Sequence, residues 1–337
     1  MQTHLIGFIL VCFSGMAGGV FAFPLRANKV YAEENTLLLS YVMALVVIPL
    51  IVAGIALPHW AADISALSGR RLVVPLLCGL GWGCAILAYA QGIARVGLAL
   101  TVSTVMSLTI ALGSVIPLLG RWGSVQPDAR AWVLAGIGVA VLGVLFFGAA
   151  GLVRDRGHSE ATRGSFLTGF LWCVVAGALS PLANIGFDAG APIVAEAVSR
   201  GGNAQIAAML AWFPTWAGGL LVVVVVMVGR FVKNGTARRF VSRGALPDLA
   251  RTALMGALHF LAQVPYGIGA FLLGTLGTSI GWAATLGSQL IFANGLGIAM
   301  GEWKKTPRSC AWLLAGGLGV VGVAIAMLAH ASSLGAG

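Results

Sequence analysis

The chain has 337 residues, of which 59% are hydrophobic and 9% are charged, and its mean hydropathy is +0.96. About a quarter of the residues in an average soluble domain are charged, so this composition excludes a soluble globular fold. The formal net charge of +10 is spread over short gaps between apolar runs, which disfavours a nucleic-acid surface and indicates charges that orient the chain in a bilayer.

Apolar runs of about twenty residues recur along the chain, and each is long enough as a helix to cross the hydrocarbon core of a bilayer. No lysine or arginine precedes Arg26, so the first run lacks the basic start of a cleavable signal and is predicted to be a retained span. The pattern predicts an all-α, polytopic membrane bundle of ten transmembrane helices. The ten predicted spans are 5–25, 37–57, 72–93, 98–119, 131–153, 165–185, 207–228, 250–272, 278–301 and 310–331.

The basic residues are distributed unevenly between the two sides of this bundle. Most of the 20 lysine and arginine residues fall in the connections after spans 1, 3, 5, 7 and 9. The positive-inside rule places these connections in the cytoplasm. We therefore expect a multi-pass protein of the inner membrane with both termini on the periplasmic side.

An internal repeat relates the two halves of the chain. Residues 120–136 read Gly-Arg-Trp, then a proline, then Ala-Trp-Val-Leu-Ala-Gly, and residues 301–316 repeat this order as Gly-Glu-Trp, proline and Ala-Trp-Leu-Leu-Ala-Gly. Because each half has an odd number of spans, the second half must enter the membrane from the opposite face. This predicts a 5+5 inverted repeat, with halves at 1–153 and 165–337 joined by a cytoplasmic linker at 154–164, and in such transporters the substrate site lies near the midplane.

Polar and aromatic residues within four spans fall at helical spacing, so they share a face of each helix. Amide, hydroxyl and aromatic groups together suit a small, neutral, polyhydroxylated ligand, whose apolar ring face stacks on an aromatic ring. The candidate ligand-binding residues are Trp82 and Tyr89 in span 3, Asn184 in span 6, Gln263 and Tyr266 in span 8, and Trp282 and Gln289 in span 9. For the amides Asn184 and Gln263, bonding between helices is an equal alternative to ligand contact.

None of the ten acidic residues lies at the centre of a span, which disfavours a pump for lipophilic cations and a metal-dependent membrane transferase. No metal or organic cofactor is expected. If protons are the coupling ion, the candidates to carry them are Asp188, near the outer end of span 6, and His259, in the middle of span 8. The alternatives are that Asp188 caps its helix and that His259 is a neutral imidazole bridging two helices. Glu34 and Glu302 are expected to pair with loop lysine or arginine residues at the inner surface.

Several short motifs, in this order and spacing, carry a family resemblance: His4-Leu5-Ile6-Gly7, a proline at 24 followed by basic residues and Glu34-Asn35, Trp82-Gly83 with Tyr89 and Gly97, and Glu302-Trp303. Over nearly its whole length the chain resembles the L-rhamnose-proton symporter family, within the drug/metabolite transporter superfamily. The resemblance implies ten helices, a central cavity, and uptake of a deoxy-sugar with protons. The chain departs from that pattern in its less basic first connection and in His259, where an aromatic residue is expected.

Together these observations predict a secondary active transporter, and not an enzyme, that takes up a neutral sugar by proton symport with alternating access. L-rhamnose or a related deoxyhexose is the expected sugar, and the other expected partners are protons and the lipid bilayer. One alternative is an exporter or facilitator of amino acids or other metabolites with the same architecture. Another is a non-transporting membrane protein, such as an assembly factor or receptor, in which the polar stripes serve only helix packing.

Overall fold

The computed structural model describes residues 2–57, 59–65, 69–154, 163–301, 303–304 and 306–334, and every regular element within them is helical. Glu302 and most of the predicted linker, 155–162, lie outside the described residues. The α-helices in chain order are α1 (Gln2–Val20), α2 (Glu33–Val42), α3 (Ile48–Ala56), α4 (Trp60–Ser65), α5 (Gly69–Val96), α6 (Leu98–Gly120), α7 (Pro127–Arg154), α8 (Arg163–Leu179), α9 (Leu182–Ala189), α10 (Ala191–Ser199), α11 (Ala204–Ala207), α12 (Phe213–Asn234), α13 (Leu246–Leu261), α14 (Val264–Leu272), α15 (Gly277–Ala299) and α16 (Arg308–Leu334).

Nine helical segments of the described residues are long and apolar enough to cross a membrane. They correspond to predicted spans 1 to 8 and 10, and run over Gln2–Leu25, Glu33–Ala56, Arg71–Val96, Leu98–Gly120, Pro127–Arg154, Phe166–Ser199, Ala204–Asn234, Leu246–Leu272 and Arg308–Leu334. The prediction of a polytopic, all-helical membrane protein is therefore confirmed.

The ninth predicted span is α15, which has 23 residues but is not among the nine apolar segments. Its length as a helix is about 34 Å, enough to cross a bilayer. Polar side chains such as Ser279, Gln289 and Asn294, together with five glycines, lower its hydropathy. The helix packs against α1, α6, α14 and α16, and its first half is almost wholly buried. The buried half needs no apolar outer surface, which accounts for the lower hydropathy of this helix.

Two of the predicted spans are broken helices. Span 6 is interrupted at Ser180 and Pro181 and then continues through α9 and α10, so the segment 186–206, expected to be a polar connection, is mostly helical. Span 8 is interrupted between α13 and α14, at Ala262 and Gln263, where Pro265 lies in the first turn of the new helix. Proline has no N–H and collides with the preceding turn, so it begins a helix more readily than it continues one.

Helices of the two halves pack in matched pairs. Three pairs each join a span to its own counterpart in the other half: α7 with α16, α6 with α15, and α2 with α12. Each remaining major pair has a counterpart, which is found by exchanging every span with the span five places away in the chain. The matches are α1–α15 with α8–α6, α1–α14 with α8–α5, α5–α12 with α13–α2, and α6–α7 with α15–α16. The packing arrangement is therefore nearly unchanged when the halves are exchanged.

Both ends of the described chain lie at one face of the bundle, which we call the terminal face. Trp132, near the start of α7, packs on His330, near the end of α16, with ring centroids 4.7 Å apart. At the start of α1, a Cβ on Gly7 would lie 2.9 Å from the carbonyl oxygen of Gly269 in α14. The opposite face carries the loops rich in lysine and arginine, and we call it the basic face.

On the basic face, a single carboxylate holds the loop between α1 and α2 against the start of α13. Asp248 Oδ2 accepts hydrogen bonds from the backbone N–H groups of Lys29, Val30 and Tyr31, at 2.9, 2.6 and 3.0 Å. Its other oxygen accepts one from Arg251 at 2.8 Å. Hydrogen bonds to an ionised group are stronger than neutral ones, so this contact ties the first half firmly to the second.

A second carboxylate strengthens the same contact. Glu34, expected to pair with a lysine or arginine, instead accepts hydrogen bonds from Asn234 Nδ2 at 3.0 Å and Thr236 Oγ1 at 2.6 Å. The adjacent Glu33 forms the ion pair with a basic residue, Arg230, at 3.5 Å. Together, Asp248 and Glu34 close the basic face between the α1–α2 loop and the α12–α13 connection, and we call this network the basic-face seal.

Candidate functional site

A cavity of about 450 Å³ opens on the terminal face, a size typical of sites for small ligands. Its wall is mostly apolar, with Ala191, Val194, Ala270 and Phe271 among the lining residues. The polar groups in the lining are Arg121, Asp188, Thr275 and Thr278. The cavity therefore combines apolar surface with one acidic and one basic side chain.

Asp188 and Arg121 form an ion pair in the cavity wall. Arg121 Nη2 lies 2.5 Å from Asp188 Oδ1, and both side chains are partly exposed to the cavity, Arg121 by 32% and Asp188 by 24%. Thr278 lies beside the pair: its hydroxyl donates to Asp188 Oδ1 at 3.0 Å and accepts from Arg121 Nη1 at 3.1 Å. The partners of Asp188 thus come from α15 and the end of α6, and not from the end of its own helix.

Asn184 lies one turn before Asp188 and is completely buried. Its Nδ2 donates to the carbonyl oxygens of Gly113 at 2.8 Å and of Thr278 at 2.9 Å, and its Oδ1 accepts from the hydroxyl of Tyr266. In this conformation Asn184 therefore bonds helices α6, α9, α14 and α15 together. Thr278 links Asn184 to the ion pair, because its hydroxyl contacts the ion pair while its backbone carbonyl accepts from Asn184.

Two aromatic residues, Tyr266 and Trp282, lie next to Asn184. Their rings meet edge to face with centroids 5.5 Å apart, and the indole N–H of Trp282 donates to the carbonyl oxygen of Thr109 at 3.1 Å. The indole fits only because Gly113 has no side chain, since a Cβ there would lie 2.3 Å from Trp282 Nε1. We call Asn184, Tyr266 and Trp282 the upper cluster.

A second cluster lies toward the basic face, around the break in span 8. The indole N–H of Trp216 donates to Gln263 Oε1 at 2.5 Å, and Gln263 Nε2 lies 2.7 Å from His259 Nε2. The His259 ring meets Tyr41 edge-on with centroids 5.0 Å apart, and Phe21 lies at 5.1 Å on a tilted plane. We call these five residues the lower cluster.

Of the three remaining candidate residues, Trp82 adjoins the lower cluster, Gln289 lies against α1, and Tyr89 lies elsewhere. Trp82 packs on Gly219 of α12, and its ring lies 6.3 Å from that of Tyr41. The Gln289 amide lies against Gly18 of α1, where a Cβ would meet Gln289 Oε1 at 3.1 Å. Tyr89 lies apart from both clusters, against a small group of buried side chains that includes Ala88, Val105, Cys173 and Ala176.

Five residues of the cavity wall and the two clusters were not among the sequence candidates. Arg121 and Thr278, in the cavity wall, lie at the ends of predicted spans, where a charge or hydroxyl resembles any surface residue. Phe21, Tyr41 and Trp216, in the lower cluster, lie in apolar spans and resemble core aromatics. One signal pointed to Arg121, because it stands in the repeated Gly-Arg-Trp segment, where the second copy has a glutamate.

Comparisons with known proteins relate nearly the whole chain to proteins named as symporters. The chain is 23% identical over 330 residues to a Cronobacter sakazakii protein named L-rhamnose-proton symporter, a match covering 95% of this chain and 94% of that protein. It is 21% identical over 328 residues to Yersinia pestis and Yersinia pseudotuberculosis proteins of the same name, covering 94% of this chain and 95% of each of them. No family model matches the chain. The resemblance to these symporters is confirmed, as is the prediction that the chain is not an enzyme, because its relatives are named as transporters.

Proposed function

We propose that this relative of the L-rhamnose-proton symporters takes up a neutral sugar, L-rhamnose or a related deoxyhexose, together with protons. One observation carries the proposal: a continuous hydrogen-bonded run joins an acidic residue in an open cavity to a buried amide and phenol. The run passes from Arg121 and Asp188 through Thr278 to Asn184 and Tyr266. A symporter needs such a link, since binding of each solute must change the binding of the other.

The chemistry of the two clusters supports a neutral, hydroxylated substrate. Asp188 and Arg121 neutralise each other, so the cavity presents no unpaired charge on this pair to an entering molecule. The amides and phenols of the clusters are both donors and acceptors, as sugar hydroxyls require. The apolar wall at Ala270 and Phe271 suits the methyl group and C–H face of a deoxy-sugar.

The bundle proposed for this function has ten transmembrane helices in a 5+5 inverted repeat, with halves at 1–153 and 165–337. The matched helix pairs support the repeat, because exchanging the halves preserves the contacts. The length and enclosed position of α15 support it as the tenth span. The excess of lysine and arginine on the basic face supports placing that face in the cytoplasm and both termini in the periplasm of an inner membrane.

Transport by this bundle proceeds by alternating access. The cavity opens on the terminal face while the basic-face seal closes the other side, which is the arrangement of an outward-facing transporter. A proton that neutralises Asp188 removes the attraction for Arg121, and Thr278 transmits this change to Asn184. Rocking of one half against the other then opens the basic face. Protons are the coupling ion in this proposal, and no cofactor takes part.

Uptake of radiolabelled L-rhamnose into proteoliposomes tests the proposal. We expect accumulation above the external concentration when the lumen is alkaline, and equilibration without a pH gradient. Asp188→Asn is expected to abolish accumulation yet retain sugar exchange, and Gln263→Ala to weaken sugar binding. Asp128→Asn is the matched control, because Asp128 is an exposed carboxylate in the first turn of α7, also on the terminal face.

Two outcomes would contradict the proposal. Wild-type protein that does not bind or move L-rhamnose would exclude this sugar and favour the exporter or facilitator of other metabolites. Normal accumulation by both Asp188→Asn and Gln263→Ala would show that the site is elsewhere. Alkalinisation of the medium around energised cells on addition of sugar separates proton-coupled uptake from export.

A further inference from the structure

His259 is a buried residue near the end of α13, with 8% of its surface exposed. Its ring faces Phe21 beyond α1, Tyr41 of α2 and Gln263 at the start of α14. The phenol of Tyr41 is the titratable group among these contacts, and none of these three side chains carries a formal charge. The imidazole ring therefore contacts two aromatic rings and one amide, and its hydrogen-bonding neighbour among these three side chains is Gln263.

The hydrogen bonds around Gln263 leave His259 one protonation state. The indole nitrogen of Trp216 is only a donor, so the atom that it contacts at 2.5 Å must be Gln263 Oε1. The amide nitrogen of Gln263, also only a donor, is thereby turned toward His259 Nε2 at 2.7 Å. His259 Nε2 must accept this hydrogen bond, so the imidazole is neutral and carries its proton on Nδ1.

The Nδ1–H group of His259 has no acceptor among the described residues, although the atom is buried. Folded proteins rarely bury a donor without a partner, because the group has lost its hydrogen bonds to water. The rings around it supply what the face of a sugar ring contacts, since Phe21 and Tyr41 flank the imidazole and Trp82 adjoins Tyr41. A buried donor without a partner, beside aromatic rings, offers the two kinds of contact that a sugar needs, one for a hydroxyl oxygen and one for the ring face.

We propose that neutral His259 donates a hydrogen bond from Nδ1 to an oxygen of the bound sugar, and that it does not carry the coupling proton. This inference rests on the proposed function. A second proton, on Nε2, would place the N–H groups of His259 and Gln263 opposite each other with no acceptor between them. Gln263 is not free to turn its oxygen to the imidazole, because that oxygen already accepts from Trp216.

Two substitutions test this role, because each retains a polar group at the position of only one of the two imidazole nitrogens. In His259→Asn the amide reaches the position of Nδ1, and in His259→Gln it reaches the position of Nε2. We expect His259→Asn to bind L-rhamnose within about threefold of the wild type and His259→Gln to bind it about tenfold more weakly, the effect of losing one hydrogen bond. Both variants should still accumulate sugar in response to an alkaline lumen at concentrations above their Kd.

Calorimetric titration of the full chain in lipid nanodiscs gives the Kd, and proteoliposomes give accumulation. His259→Gln binding as tightly as the wild type would overturn the proposal, as would either variant that exchanges sugar but no longer accumulates it. Wild-type protein without L-rhamnose binding contradicts the proposed function itself.

If either variant fails to fold, Trp216→Phe replaces it, since that change leaves His259 in place and frees Gln263 to turn. Weaker binding with intact accumulation supports the proposal, and unchanged binding overturns it.

Discussion

At Asp188, a guanidinium and a proton compete for the same carboxylate oxygen. Arginine stays charged at every physiological pH, so the competition is decided by whether Arg121 is in contact. The contact is mostly shielded from bulk water by the cavity wall, where an ion pair is screened less than at an open surface. The role proposed for Asp188 therefore depends on a partner 67 residues away in the sequence.

Replacing Arg121 with glutamine leaves Asp188 without its counter-charge. The cavity then presents an unpaired carboxylate to a neutral sugar, so we expect L-rhamnose to bind about tenfold more weakly than to the wild type. Calorimetric titration of both proteins measures the two Kd values.

The control is Arg130→Gln, which removes the same charge from the same face. Arg130 lies over the ring of Trp122 at 4.8 Å and donates to the carbonyl of Val125, so it makes no contact with the cavity pair. Equal Kd values for Arg121→Gln and the wild type would contradict a role for the ion pair in sugar binding.

Between helices, the closest contacts are made by glycine. Where α5 crosses α12, a Cβ on Gly79 would lie 2.1 Å from the carbonyl oxygen of Thr215, and one on Gly218 would lie 2.2 Å from that of Leu76. Lipid provides no hydrophobic force to press helices together, so small residues that admit close backbone contact are the main source of packing energy. This crossing carries Trp82 and Trp216, and it therefore positions the lower cluster.

Gly79→Ala should destabilise the protein by about 1–3 kcal/mol, because the added methyl group must push the two backbones apart. We expect a lower temperature for loss of the monodisperse peak in detergent and weaker sugar binding. Gly138→Ala is the matched control in α7, since a Cβ there meets nothing within 4 Å among the described residues. Equal melting temperatures for the two variants would contradict the tight crossing.

Over the whole molecule, the two faces differ in how firmly the halves are joined. On the basic face, Asp248 and Glu34 together accept six hydrogen bonds from the opposing loops and from Arg251. On the terminal face, Arg200 pairs with Asp63 at 3.6 Å, and Arg121 contacts Asp188 and Thr278. The basic face thus has more hydrogen bonds between the halves, which agrees with the outward-facing conformation proposed above.

Asp248→Asn should weaken the basic-face seal and shift the protein toward a conformation open on that face. Losing the charge that three backbone N–H groups contact costs about 1.5–3 kcal/mol, or roughly a 10- to 150-fold change in the conformational equilibrium. Ala195→Cys, placed in the terminal-face cavity of a cysteine-free background, reports this shift as slower labelling by an impermeant maleimide. Asp128→Asn serves as the control, and unchanged labelling in Asp248→Asn would contradict a latch at this site.

Most of the membrane spans could be predicted from the local sequence alone. Inside a bilayer the backbone must satisfy its own hydrogen bonds, so each apolar run long enough to span becomes a helix wherever it lies in the chain. The one predicted span that falls short in hydropathy, α15, shows the limit of that rule, because its first half is covered by other helices and needs no apolar surface. Pro181 and Pro265 stand at the breaks in spans 6 and 8, but Pro75 and Pro117 lie inside continuous helices, so a proline in the sequence did not by itself single out the broken spans.

The partners of the polar residues were decided only by the tertiary structure. The sequence pointed to Asn184, Gln263 and Tyr266 as buried polar groups, because polarity within an apolar run is a local property. Asn184 and Tyr266 lie together in the upper cluster and Gln263 in the lower, while Tyr89, on the same predicted stripe as Trp82, packs elsewhere. A hydrogen bond depends on the direction and spacing of two groups carried by different helices. Hydropathy adds up along one chain segment, whereas these contacts exist only once distant segments have packed.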